Sequence, residues 1–101
     1  MTIPEDTLSL LRVRFLARCR DQVATLKTTC DSDQPISVTT DDGGLSKTVH
    51  SLAGAGGTFG FPDISARASE LETLLIEETV DADAARHALR ALIEALEKAL
   101  A

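Results

Sequence analysis

Leu45-Ser46-Lys47-Thr48-Val49-His50-Ser51-Leu52-Ala53-Gly54-Ala55-Gly56-Gly57-Thr58-Phe59-Gly60-Phe61-Pro62 decides the fold. Leu45, Val49, Leu52, Gly56 and Phe59 recur at steps of three and four, the helical period rather than the alternation of a strand. Gly60 is a natural helix stop, and Pro62 suits the first turn of a following helix. With Leu45 set at zero and about 100° per residue, His50 falls at about 140°, away from the apolar stripe. Gly54 falls at about 180°, Gly57 at about 120° and Lys47 at about 200°. The histidine is therefore surrounded on its own face by small or polar residues: Ser46 and Lys47 on one side, Ala53, Gly54 and Gly57 on the other.

Glycine inside a helix costs ~1 kcal/mol relative to alanine. Gly56 lies on the core stripe and is explained by close packing of a neighbouring helix. Gly54 and Gly57 have no such explanation and read as a cleared approach for a partner's backbone or a phosphoryl group. The competing reading ends the helix near Ala55 and leaves the glycines in a loop. Both leave His50 exposed.

The same period extends outward in both directions. Leu8, Leu11, Phe15, Cys19, Val23, Leu26 and Cys30 predict a long first helix ending near Cys30. Thr2 and Glu5 have capping-box spacing, with Pro4 in the first turn, and predict a short N-terminal helical turn. A polar, Pro-containing connection follows over residues 31–37, and Thr39, Thr40 or Asp41 is placed to cap the second helix. Ile64, Ala68, Leu71 and Leu75, with Leu74 beside them, predict a third helix ending near Glu78. Asp81 or Asp83 caps a fourth, with Ala85, Leu89, Leu92, Leu96 and Leu100 on its core side. Short connections make consecutive helices antiparallel neighbours. The expectation is all-α: one domain over residues 1–101, an up-down-up-down antiparallel four-helix bundle, working as a monomer.

Composition agrees. The 101 residues suffice for one core, and 44% are hydrophobic but only 3% aromatic. Such a core is Leu, Ala, Val and Ile. The net charge of −6 argues against a nucleic-acid partner, which needs clustered Lys and Arg, and against an anionic membrane surface. No apolar run approaches the ~20 residues that span a bilayer, and residues 1–6 lack the basic start of a signal peptide. A cytoplasmic location is expected. Cys19 and Cys30 on one helix would stand ~16 Å apart along its axis, too far for a disulfide, and no zinc spacing is present. Both are expected to be buried small hydrophobes.

Other chemistries fit poorly. The run 54–60 lacks the G-x-G-x-x-G spacing and has no preceding strand or following Gly-Lys. His87 lacks a small-residue surround and reads as a solvated helix residue. Arg86, Arg90, Glu94, Glu97 and Lys98 read as a charged outer face worth tenths of a kcal/mol per pair. A neutral imidazole is a competent nucleophile near neutral pH. It needs one free nitrogen while an acceptor holds the other N–H and fixes the tautomer. Lys47 is the basic residue within reach on the His50 face.

His50-Ser51-Leu52-Ala53-Gly54, with Gly60 six residues on, resembles the histidine-containing phosphotransfer (HPt) family. Its motif reads His-x-Leu-Lys-Gly, then small residues and a second Gly. Gly57-Thr58-Phe59-Gly60-Phe61 is most similar to the phosphotransfer domain of chemotaxis histidine kinases. The resemblance implies a phosphorelay carrier rather than an enzyme. His50 would exchange a phosphoryl group with the aspartate of a response-regulator receiver domain, or take one from a sensor histidine kinase. The carrier itself would need no cofactor, the Mg²⁺ belonging to the receiver. The resemblance also implies that Glu72, on the third helix, orients His50. One departure stands out: the family's usual Lys before the Gly is Ala53, so the cation would have to come from Lys47. Without it the alternative is a non-catalytic module that binds receivers or kinases without accepting phosphate. A kinase dimerisation hairpin is the poorer match, since an acidic residue would follow the histidine and Ser51 does.

Overall fold

The computed structural model describes residues 5–31, 44–76 and 82–101. Four helices follow one another, α1 (Glu5–Asp31), α2 (Gly44–Thr58), α3 (Pro62–Ile76) and α4 (Ala82–Leu100), and the described residues include no strand. They close into a bundle in which α2 lies on α3, α3 on α4 and α4 on α1, with a lighter contact between α1 and α2. This is the arrangement the apolar periods predict. The expected N-terminal turn, the connection over residues 32–37, the caps at residues 39–41 and 81, and a third-helix end near residue 78 lie outside the described residues.

The stripes become the core. Phe15, Cys19, Val23, Leu26 and Cys30 are buried from α1, Leu45, Val49 and Leu52 from α2, and Ile64, Ala68, Leu71 and Leu75 from α3. Leu8 and Leu11 are only half-buried. Beyond its predicted stripe, α4 also buries Ala88 and Ile93. It packs against both α1 and α3, and two neighbours require a wider apolar face than one. Cys19 and Cys30 are free thiols, both buried. Burial pushes the Cys19 thiol up to about 11, because a low-dielectric core disfavours thiolate. It therefore packs as a neutral hydrophobe.

The turn between α2 and α3 is built by a small set of contacts. The Phe61 N–H donates to the Gly56 carbonyl at 2.7 Å, and Gly60 sits at φ +86°. That is a Schellman-type helix end, with glycine in the left-handed conformation. The next helix opens on Pro62, where its missing N–H costs nothing. From α1, Arg12 Nε donates to the Phe59 carbonyl at 2.9 Å. The Phe15 ring lies 5.4 Å from that of Phe59 and 5.6 Å from that of Phe61. Gly60→Ala should therefore destabilise the fold. The backbone strain is roughly 1–2 kcal/mol, and the new methyl would meet Arg12 Nη2 at 3.0 Å. A thermal melt should move down by several degrees; an unchanged melt would contradict this account of the turn.

One charged group departs from expectation. Arg86 is not simply part of an outer face: it is half-buried and its guanidinium donates to the Cys30 carbonyl. It thereby satisfies a carbonyl in the last turn of α1, which has no intrahelical partner. Glu97 likewise reaches across to Lys27, at 2.8 Å. Both contacts tie α4 to α1.

Candidate functional site

α2 runs unbroken to Thr58, so Gly54, Gly56 and Gly57 are helical and the loop reading falls. The three glycines meet different surroundings. A Cβ on Gly56 would lie 2.9 Å from the Ser65 backbone nitrogen and 3.2 Å from Ile64. Gly56 is what allows α2 to sit this close to the start of α3. A Cβ on Gly54 would meet nothing within 4 Å. Gly57 is exposed, yet its Cβ would touch Ser65 Oγ at 3.5 Å. Gly57 therefore lies along the α2–α3 seam rather than on fully open surface.

His50 projects from the middle of α2, and its side chain is 78% exposed. Its Nδ1 lies 2.5 Å from Oε2 of Glu72, which stands on α3 and is half-buried. A carboxylate can only accept, so the imidazole must carry its proton on Nδ1. This leaves Nε2 with its lone pair on a side chain open to solvent. One hydrogen bond thus selects the tautomer, orients the ring and leaves the second ring nitrogen free to react. The carboxylate also stands where it would stabilise positive charge developing on the ring.

Lys47, Ser46 and Ile76 line one open groove with His50 and Glu72. Lys47 is exposed, so the groove has a cation on its edge. Ser46 Oγ is buried and has no hydrogen-bond partner among the described residues. Ile76 is 73% exposed, a large apolar side chain beside the histidine. Ala53 is half-buried against the core, and its carbonyl accepts from Ser65 Oγ at 2.6 Å. That bond clamps α2 to α3 within one turn of His50.

Of the residues singled out by sequence, Lys47 and Glu72 join His50 in the groove, while Ala53, Gly54 and Gly57 lie along α2 beyond it. His87 is exposed and lines a separate polar groove with Asp63, Arg67, Glu94 and Lys98. Sequence reasoning did not find Ser65 or Ile76. Ser65 carries no periodic signal, and Ile76 follows Leu75 directly, where an apolar residue is easily absorbed into the stripe. Among the described residues no cluster of three or more His, Cys, Asp or Glu could hold a metal ion. No helix there is long and apolar enough to cross a membrane.

Comparison with protein families matches residues 10–100 to the family model described as Hpt domain. No curated protein and no solved structure matches the chain.

Proposed function

The chain belongs to the Hpt domain family, and from that premise we propose that His50 is the residue that carries the phosphoryl group. Membership supports histidine phosphotransfer in phosphorelay signalling, and Hpt domains in general are phosphocarriers rather than catalysts. The observation that carries the residue-level reading is the His50–Glu72 pair, 2.5 Å apart through Nδ1 on a side chain 78% exposed. In the proposed step Nε2 attacks the phosphorus of a receiver's aspartyl phosphate. The N–P bond forms, the P–O bond breaks, and the electron pair leaves with the aspartate carboxylate. The ring becomes cationic as Nε2 gives up its lone pair, and Glu72 stabilises that cation through Nδ1–H. In the reverse direction the same carboxylate keeps the ring in the tautomer that departs as neutral imidazole. The Mg²⁺ for this exchange belongs to the receiver; the carrier contributes positioning and charge. A sensor kinase is the other donor the same chemistry admits. We place the protein in the cytoplasm as a monomer, where both partners would reach it.

Lys47 is the cation we assign to the phosphoryl oxygens, since Ala53 supplies none. The reading in which the domain binds partners without accepting phosphate draws only on Ala53. Against it stands the oriented His50–Glu72 pair, which a pure docking module has no need of.

The test is to mix the chain with a phosphorylated receiver domain and follow acid-labile, alkali-stable label. Glu72→Gln keeps an acceptor oxygen for Nδ1–H, so the decisive variant is Glu72→Ala, which should slow labelling by roughly 10–100-fold, as removal of the group that orients a metal-ligating histidine does. Lys47→Ala should slow it less, and the loss should shrink at high salt because the cation is exposed. Unchanged rates in Glu72→Ala would remove the orienting role.

A further inference from the structure

The face of α1 that points away from the core is unlike the rest of this acidic chain. α1 carries five basic residues against the acids Glu5, Asp6, Asp21 and Asp31. Arg12 and Lys27 are engaged with the Phe59 carbonyl and with Glu97, which leaves Arg14, Arg18 and Arg20 for the outer face. Arg14, Arg18 and Arg20 are exposed and make no ion pair among the described residues. Leu10 is 51% and Val13 62% exposed, two of three large apolar side chains left open among the described residues. Leu10, Val13, Ala17 and Ala24 fall within about 60° of one another around the helix, roughly opposite the core stripe. Their spacing of three, four and seven is that of a seam that packs against another helix. Arg14 and Arg18 flank the seam on one side and Arg20 on the other.

We propose that this face is a second docking surface, which takes an acidic amphipathic helix of a partner protein. The occupant follows from charge. Arginine forks on both flanks match carboxylates on a facing helix, with the apolar seam between them. A second copy of this chain would set arginines against the same arginines, offset only in part by the exposed Asp21 and Asp31. A membrane surface would find just two large apolar side chains to bury, too few for an interfacial helix. His50 is turned toward α3 through Glu72, and no α1 residue lines its groove. Occupation of α1 therefore leaves the phosphoryl site open, and the inference stands apart from the chemistry at His50.

The probe is a synthetic three-heptad peptide with Leu at a and d and Glu at e and g, titrated into isotope-labelled full chain and followed by amide shifts. Shifts should concentrate on the outer face between residues 10 and 24, also in His50→Gln. Arg14→Glu/Arg18→Glu/Arg20→Glu should weaken binding by about tenfold or more, the scale of lost interfacial charge pairs. Leu10→Ser/Val13→Ser should weaken it as well, with an unchanged thermal melt because both side chains are exposed. A lysine-flanked peptide should not bind. The proposal is overturned if the two peptides bind alike or if shifts fall elsewhere. It is also overturned if phosphatidylserine vesicles, or a second copy of the chain, occupy the face while the acidic peptide does not.

Discussion

His50→Gln should abolish phosphoryl acceptance while leaving the bundle intact. A glutamine amide can still donate a hydrogen bond to Glu72, so the carboxylate keeps a partner. It has no basic nitrogen, so no N–P bond forms. The side chain is 78% exposed, and a substitution so placed ordinarily moves stability by no more than about 0.5 kcal/mol. Helicity and melting should therefore match the parent, while label donated by a phosphorylated receiver falls to background. That pairing of outcomes separates a chemical role from a structural one. Label that persists in the variant, or that maps to His87, would end the assignment of His50. His87 is exposed too, but among the described residues it has no carboxylate bond like that of His50 to Glu72.

Local period and distant contact divide what the sequence disclosed from what it did not. Apolar steps of three and four residues told the four helices and nearly all of the core, because burying one face is a local property of each helix. Gly60 and Pro62 told the α2–α3 turn for the same reason: their backbone preferences act at their own positions. His50's exposure followed from its angle on α2. The contacts that lock the helices to one another run between residues far apart in the chain. Arg12 reaches the Phe59 carbonyl across 47 positions and Arg86 the Cys30 carbonyl across 56. Ser65 clamps the Ala53 carbonyl from the next helix. A polar side chain aimed at one spare carbonyl leaves no trace in a hydrophobic period. Glu72 lies between these cases. It sits one step past the core residue Leu71, at the bundle edge, but only family resemblance put it beside His50. The arginine-flanked outer face of α1 was visible as letters, yet the net charge of the whole chain concealed it.

Gly54 and Gly56 offer the sharpest opposition between packing and docking, since they are two residues apart on one helix and glycine is the poorer helix former at both. At Gly56 an added methyl would sit 2.9 Å from the Ser65 backbone nitrogen and 3.2 Å from the Phe61 carbonyl. Neither atom is the end of a flexible side chain, so α2 and α3 must separate. Gly56→Ala should cost roughly 1–3 kcal/mol by overpacking, against a propensity gain of under ~1 kcal/mol. At Gly54 the backbone is helical and nothing lies within 4 Å. Gly54→Gln should therefore hold or raise stability, by under ~1 kcal/mol. It also sets a long side chain one turn from His50, on the surface a receiver must approach to bring its phosphorus within reach of Nε2. Phosphotransfer should fall by orders of magnitude in a fold that melts no earlier, because small misplacement of reacting atoms already costs about 100-fold. Gly56→Ala should show the reverse: a lower melt, with transfer retained at temperatures where the bundle is folded. A Gly54→Gln protein that is stable and exchanges phosphate at the parent rate would show that the space beside His50 is not used by its partner.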